Sequence, residues 1–148
     1  MSALDLVVDE LAIRSLVARY IDAVYRRDKE AWAATWAEES RWSVLGTVVT
    51  GKEQVVAIWL QAMDRFPFVA MQMHSGTLDI NGAVASGRWY LSEYLIDQEG
   101  TRQMIIGIYS DQYIKEGGQW LFQERRYDII YQGPPDLSGD IAPYPADL

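Results

Sequence analysis

The spacing of the apolar residues changes from a helical period to a strand period at Pro67, and this change constrains the fold more than any other feature of the chain. Before Pro67, apolar side chains recur every three or four residues, which is typical of helices that pack one face on a core. After Pro67, they alternate with polar side chains, which is typical of strands. Helices followed by consecutive strands predict an α+β domain, in which the helices pack in a strongly curved, mainly antiparallel sheet.

The N-terminal half contains the predicted helices. They cover residues 9–27 and 52–65, and a short extended segment covers residues 41–45. Asp28 is suited to cap a further helix, in which Trp32 and Trp36 lie four residues apart on one side.

Four long strands are predicted after Pro67, over residues 71–80, 84–96, 102–115 and 120–132. Asn81-Gly82 favours a tight hairpin turn between the first two strands. A sheet that curls around helices leaves a cavity at its open end, where a ligand is expected to bind. Residues 1–135 are predicted to form this domain, and residues 136–148 a Pro-rich C-terminal tail.

The composition disfavours several classes of site. The chain has no cysteine, which excludes disulfides, thiolate nucleophiles and cysteine-ligated metals, and it has only one histidine. We therefore expect no metal and no cofactor. The net charge of -8 disfavours nucleic acid and anionic membranes as partners. The N-terminus lacks the basic and apolar segments of a signal peptide, so a cytoplasmic location is expected.

The chain combines 18 aromatic residues with only one histidine, His74. Histidine is the residue type whose unperturbed side chain titrates near neutral pH. Such an aromatic interior is consistent with core packing, and equally with the wall of an apolar ligand pocket. Trp42, Trp59 and Trp89 are the stronger candidates for a pocket wall, whereas the other three tryptophans are predicted to pack in the core or at an interface.

An ordered set of short motifs resembles one known family. The set includes Ala12-Ile13-Arg14, His74 on the first long strand, Gly87-Arg88-Trp89-Tyr90 and Gly107-Ile108-Tyr109-Ser110-Asp111. These motifs are similar to those of the SnoaL-like group of the nuclear transport factor 2-like superfamily, in the branch of scytalone dehydratase and hexachlorocyclohexane dehydrochlorinase. The resemblance covers about residues 11–132. It implies a cone-shaped fold, a small apolar molecule as ligand, and a homo-oligomer, either a dimer or a trimer.

The resemblance also implies a catalytic pair, in which an Asp at the end of the first helix orients a His that removes a proton. His74 matches the His, but Tyr25 stands where the Asp is expected, and a phenol with a reference pKa of about 10 supplies no negative charge at neutral pH. Alternation puts Trp89, Leu91 and Glu93 on one strand face, which by the resemblance is the pocket face. Glu93 is therefore predicted to share a proton with His74.

Further candidate groups follow from the same comparison. Tyr20 or Tyr25 is suited to act as an acid or an oxyanion donor, although packing is the default role for Tyr20 in its apolar helix stripe. Arg125 is suited to contact an anion, and Gly107 is predicted to leave room for a ligand. The candidate substrate-binding residues are Trp42, Trp59, Trp89, Leu91, Tyr109 and Tyr127.

Three functions are consistent with these patterns. The first is a cofactor-independent lyase or isomerase, similar to a dehydratase, that uses His74 to remove a proton from a small apolar, cyclic substrate. The second is a non-catalytic binding module for a small hydrophobic ligand in the same fold. The third is an oligomeric partner subunit like the small chains of ring-hydroxylating dioxygenases. Whether His74 and Glu93 lie within hydrogen-bond reach and face a concave pocket distinguishes the first function from the second, and a solvent-facing Glu93 would favour binding.

Overall fold

The computed structural model describes residues 1–148 and has the α+β architecture that the period change predicts. The helices are α1 (Ala3–Arg26), α2 (Lys29–Ala33) and α3 (Lys52–Arg65). The strands are β1 (Trp36–Val44), β2 (Thr47–Thr50), β3 (Phe68–Asn81), β4 (Val84–Ile96), β5 (Arg102–Glu116) and β6 (Gln119–Gly133). They form one curved sheet in the order β2-β1-β6-β5-β4-β3, in which only the β1–β6 pair is parallel. No helix combines the length and apolar character needed to cross a membrane.

Helix α1 begins at Ala3, well before the predicted start at residue 9. Ser2 and Asp5 form a capping box there: Ser2 Oγ accepts a hydrogen bond from the Asp5 N–H at 3.1 Å, and Asp5 accepts one from the Ser2 N–H at 2.9 Å. The additional turns expose apolar side chains such as Leu4, so the spacing of buried residues does not reveal them. The capping residues determine where this helix begins.

The helix after Asp28 is shorter than predicted. Asp28 caps α2 by accepting a hydrogen bond from a backbone N–H of its first turn at 3.0 Å. The prediction that Trp36 lies on this helix is wrong, because Trp36 begins β1. Thr35 turns the chain toward the sheet: its hydroxyl donates to the Trp32 carbonyl at 2.7 Å, and its own carbonyl accepts from the Phe122 N–H at 2.8 Å. The pairing of β1 with β6 therefore replaces a further helical turn.

The long strands are present, and β3 carries a β-bulge. Met73 pairs with Leu91 and Gly76 pairs with Trp89, so two residues of β3 lie opposite the single residue Tyr90. Before the bulge, Met71 and Met73 face the helices. A bulge of this kind resets which side chains of a strand face each side of the sheet.

The core lies between the helices and the inner face of the sheet, and aromatic rings make up much of it. Trp32 stacks on Trp59 with ring centroids 4.5 Å apart, and Trp36 lies 5.5 Å from Trp32. Each such ring removes on the order of 150–250 Å² of surface from water, so these contacts stabilise the junction of α2, α3 and β1 strongly. The tryptophans predicted to pack, Trp32, Trp36 and Trp120, are all buried.

The C-terminal tail lies against β6. The Ala142 N–H donates to the Ile130 carbonyl at 2.8 Å, and Ile141 forms a single antiparallel bridge with Tyr131. Near the end of the tail, Asp147 pairs with Arg126 at 2.8 Å. The backbone contacts of the tail therefore lie on the part of β6 beyond its pairing with β1, and Asp147 extends the contact back to Arg126.

Candidate functional site

An apolar cavity of about 150 Å³ lies between the sheet and the helices. An apolar cavity of about that volume is large enough to hold a benzene molecule. Sixteen of its 19 lining residues are hydrophobic, and the other three are Arg65, Glu93 and Gln132. Arg65 and Gln132 are exposed, whereas Glu93 is buried. No group of three or more His, Asp or Glu side chains is placed to hold a metal ion. Glu93 is the one charged residue of the lining that is buried.

The structure brings four of the six predicted substrate-binding residues to this cavity, namely Trp42, Trp59, Tyr109 and Tyr127. Trp89 and Leu91 face inward on the same side of β4 as Glu93, but they do not line the cavity. They lie farther along β4, where α1 covers them: the Arg14 guanidinium lies 5.5 Å from the Trp89 ring centroid. Their burial in the core excludes direct contact with a ligand in this cavity.

Glu93 points into the cavity from β4, on the strand face that the resemblance implied to be the pocket face. The Tyr127 hydroxyl donates a hydrogen bond to Glu93 Oε1. The other carboxyl oxygen, Oε2, has no hydrogen-bond partner in the protein. Burial raises the pKa of Glu93, and the hydrogen bond from Tyr127 partly opposes this effect. A carboxyl with a raised pKa and a free oxygen is suited to exchange a proton with a bound ligand.

Three phenols extend the polar end of the cavity beyond Glu93. The ring of Tyr127 stacks on Tyr109 with centroids 4.6 Å apart, and the hydroxyls of Tyr109 and Tyr20 share a hydrogen bond of 3.2 Å. Burial raises the pKa of each phenol. All three therefore stay protonated at neutral pH and are able to donate hydrogen bonds.

Gly107 does not leave room for a ligand, contrary to the prediction. A Cβ atom at this position would lie 2.2 Å from Cε1 of Tyr127. The missing side chain therefore provides space for the Tyr127 ring, which reaches Glu93 across β5.

His74 and Glu93 do not form the predicted pair, because they lie on opposite faces of the sheet. His74 is exposed, and its Nε2 lies 3.1 Å from Ser92 Oγ. Ser92 directly precedes Glu93 on β4, so the two side chains project in opposite directions. The inward position of Met73 likewise turns His74 outward. His74 therefore does not line the cavity. Its imidazole contacts the Ser92 hydroxyl on the outer face of the sheet instead.

Tyr25 also lies outside the cavity, with 50% of its surface exposed. Successive helical residues are rotated by about 100°, so only one side of α1 faces the sheet. Tyr20 and Val24 lie on that side and line the cavity. Tyr20 is thus the only one of the two candidate donors on α1 that lies in the cavity with Glu93, Tyr109 and Tyr127.

Arg125 is completely buried, but it does not line the cavity. Its Nε donates to Asp111 Oδ1 at 2.8 Å and its Nη2 to Asp111 Oδ2 at 3.0 Å. Burial disfavours the charged form of the guanidinium, but the neighbouring Asp111 carboxylate keeps the pKa of Arg125 above its ordinary value. The guanidinium also lies 3.7 Å from the Tyr109 ring centroid. Arg125 therefore packs against the ring of a cavity-lining phenol from within the core and does not itself reach the cavity.

Sequence reasoning missed Asp111, although one signal was available. Tyr109 and Asp111 are two residues apart on β5, so they face the same side of the sheet. Asp111 also accepts a hydrogen bond from the Tyr113 hydroxyl at 2.6 Å, which itself accepts one from Trp89 Nε1 at 2.8 Å. An acidic side chain on an inward-facing strand position requires a buried partner, and Arg125 provides it.

Removing the Tyr127 hydroxyl is expected to raise the pKa of Glu93 further. In Tyr127→Phe, the ring is retained while the hydrogen bond that favours the ionised carboxylate is lost. The measurement is a pH titration of the Glu93 carboxyl followed by ¹³C NMR, with Tyr90→Phe on the outer face of β4 as the matched control. An unchanged midpoint in Tyr127→Phe would contradict this assignment of the hydrogen bond.

A family comparison covers most of the chain. The SnoaL-like domain matches residues 6–126 of the chain. The chain belongs to the SnoaL-like domain family. Its fold is that of the nuclear transport factor 2-like superfamily, to which the sequence motifs pointed.

Solved structures with the same fold include two proteins related to lyases and one of unknown function. A type 2 hexachlorocyclohexane dehydrochlorinase is 19% identical, with a TM-score of 0.85, and the match covers 98% of this chain and 99% of that one. A candidate scytalone dehydratase from Novosphingobium aromaticivorans DSM 12444 is 19% identical, with a TM-score of 0.80 over 92% of both chains. A variant of a protein of unknown function from Mycobacterium tuberculosis is 27% identical, with a TM-score of 0.73 over 82% of this chain and 76% of that one. A search of curated proteins finds no match.

Proposed function

We propose that this SnoaL-like protein is a cofactor-independent lyase or isomerase that moves a proton on a small, neutral, cyclic substrate. The observation that carries the proposal is the position of Glu93: its buried carboxyl has a free oxygen in a mainly apolar cavity. The hexachlorocyclohexane dehydrochlorinase and the candidate scytalone dehydratase with the same fold support this class of chemistry.

Glu93 is the group that we assign to proton transfer. Burial raises its pKa toward the range in which a carboxylate becomes a stronger base. In the proposed step, ionised Oε2 removes a proton from a carbon next to a carbonyl group. The electron pair of that C–H bond forms a C=C bond, and the π pair of the carbonyl moves onto its oxygen, which becomes an oxyanion. When the carbonyl forms again, the protonated Glu93 either returns its proton to a carbon of the substrate, or gives it to a leaving group that departs from the adjacent carbon with its bonding electron pair.

Tyr20 and Tyr109 are suited to stabilise the oxyanion. Their hydroxyls share one hydrogen bond and both residues line the cavity, so one O–H of the pair is available to a ligand. Neutral phenols are effective donors in a cavity that excludes water, because they are oriented before the charge develops. The buried Arg125 guanidinium beside Tyr109 adds a positive charge behind this pair.

The size and polarity of the cavity define the substrate class. About 150 Å³ accommodates a single six-membered ring, and the apolar lining disfavours a charged substrate. A neutral monocyclic ketone meets both conditions and provides one acceptor for the phenols. His74 lies on the other face of the sheet and has no part in the proposed step.

A non-catalytic binding module is the second candidate function. The observation that favours it is the absence of the His–Asp pair implied by the resemblance, since His74 and Tyr25 both lie outside the cavity. In that case the same cavity binds the same class of neutral ring without chemical change. The two functions differ in whether a bound ligand loses a proton.

Proton exchange on cyclohexanone in D₂O distinguishes the two functions. We expect the protein to accelerate exchange of the protons next to the carbonyl, followed by ¹H NMR, and the rate to rise with pH as Glu93 ionises. His74→Ala is expected to exchange cyclohexanone at the wild-type rate. Binding of cyclohexanone without exchange would assign the protein to the binding class. Loss of exchange in His74→Ala would contradict the assignment of proton transfer to Glu93 alone.

A further inference from the structure

A row of polar side chains crosses the outer face of the sheet. Thr77, Arg88, Ser110 and Arg126 are paired in this order across β3, β4, β5 and β6. Their chain neighbours Trp89, Tyr109 and Tyr127 face the core, so these four side chains project from the opposite face. They border a groove of about 370 Å³, in which only two of the 12 lining residues are hydrophobic.

Arg88 has no partner in this groove. It forms no ion pair, and its Nε is enclosed without a hydrogen-bond partner. The great majority of enclosed donors are paired with protein, water or an ion, so the unpaired Arg88 guanidinium N–H is available to a group that enters the groove. The neighbouring Ser110 adds a hydroxyl on the same row.

Arg126 already binds carboxylates at the other end of the row. Its Nε donates to Asp128 at 2.9 Å, and its Nη1 and Nη2 donate to Asp147 of the C-terminal tail at 2.8 and 3.3 Å. Asp147 is 72% exposed, and ion pairs at such positions contribute only about 0–1 kcal/mol. The tail therefore places a weakly held carboxylate in the groove, and another anion is able to displace it.

We propose that the groove between Arg88 and Arg126 binds the oxyanion group, a phosphate or a carboxylate, of a small molecule, with Asp147 as an internal competitor. Two strand spacings separate the arginines by about 10 Å between Cα atoms, so their long side chains reach one anion above Ser110. Guanidinium groups match phosphate and carboxylate oxygens in bidentate geometry. This site is on the outer face of the sheet and is independent of the function proposed for the cavity.

Titration calorimetry with inorganic phosphate, and in a second series with acetate, tests the site at constant ionic strength in sodium chloride. The wild type is expected to bind at least one of the two anions. Arg88→Gln is expected to weaken binding at least about tenfold, because a charged hydrogen-bond donor is lost. Asp147→Asn is expected to tighten binding several-fold, since it removes the competitor. Arg102→Gln, an exposed arginine at the start of β5, is the matched control and is expected to bind like the wild type.

Three results would contradict the proposed anion-binding site. They are wild-type affinity in a folded Arg88→Gln variant, weaker binding by Asp147→Asn, and no binding of either anion by the wild type and Asp147→Asn alike. Circular dichroism of each variant establishes folding, and Arg88→Lys retains the charge if the Gln variant does not fold. Self-association that Arg88→Gln abolishes, in the absence of anion binding, would instead assign Arg88 to a contact with a second copy of the chain.

Discussion

Replacing Glu93 with Gln is expected to lower the rate of cyclohexanone proton exchange by about 10²–10⁴-fold, the usual contribution of a positioned general base. Gln has nearly the same shape, and its carbonyl oxygen still accepts the hydrogen bond from Tyr127. The cavity is therefore retained, whereas the amide is unable to take up a proton. Cyclohexanone binding, followed by chemical-shift perturbation, should change little in this variant.

The thermal stability of Glu93→Gln provides the control for folding. Because burial raises the pKa of Glu93 in the folded state, ionisation of the carboxyl costs stability as the pH rises through the unfolded and then the folded pKa. Each unit of elevation costs about 1.4 kcal/mol at pH values above both. Gln avoids this cost, so Tm should exceed the wild-type value at pH 7, and the advantage should vanish below about pH 4.

Glu99→Gln, in the exposed turn before β5, is the matched variant for both measurements. It removes one negative charge without changing the cavity, so its exchange rate and its Tm should remain close to the wild-type values. Wild-type exchange by Glu93→Gln would remove this residue from the mechanism. A lower Tm for Glu93→Gln at neutral pH would contradict the buried, ionisable carboxyl on which the proposed function rests.

Asp111→Asn is expected to cause the largest loss of stability, about 3–5 kcal/mol, because it leaves the Arg125 guanidinium buried without a counter-charge. Both side chains are fully enclosed, and Arg125 Nη1 has no partner even in the intact protein. For a domain of this size, each kcal/mol lowers Tm by roughly 2–4 °C, so the decrease should be on the order of 10 °C. Chemical denaturation and calorimetry at pH 7 measure the effect.

Two control variants distinguish how much of the stability loss comes from the burial of the Asp111–Arg125 pair and how much from its charge. Arg41→Gln breaks the exposed Arg41–Glu124 pair, which has the same type of contact at 2.7 Å, and should cost at most about 1 kcal/mol. The double variant Asp111→Leu/Arg125→Met should recover much of the loss, since apolar side chains of similar volume often replace a buried ion pair without penalty. A loss below 1 kcal/mol for Asp111→Asn would show that the guanidinium finds another partner.

Local patterns predicted the long elements and the direction of several side chains. Alternation along β4 placed Glu93 on one face with Trp89 and Leu91, because side-chain direction on a strand follows from the pleat of the backbone. The resemblance implied that this is the pocket face, and Glu93 does line the cavity. The helix after Asp28 was predicted to continue to Trp36, but pairing with β6 ends it at Ala33. A contact between distant strands overrode the local preference there.

Local sequence patterns did not predict the positions of several candidate site residues. His74 and Tyr25 were assigned from a resemblance, and the structure turns both away from the cavity because of their positions on β3 and α1. Arg125 was expected to contact a ligand, but its partner Asp111 lies on the neighbouring strand and encloses it. Such a pairing depends on the register between β5 and β6, which alternation along either strand alone does not determine.

By itself, the amino-acid sequence determined the α+β class, the meander after Pro67 and the shared strand face of Trp89, Leu91 and Glu93, since each depends on a period of two or 3.6 residues along the backbone. Only the tertiary structure decided that Glu93 is paired with Tyr127 and separated from His74. The cavity, the buried ion pair and the outer groove form where side chains from different strands and helices meet. Their positions depend on long-range packing, which no local spacing contains.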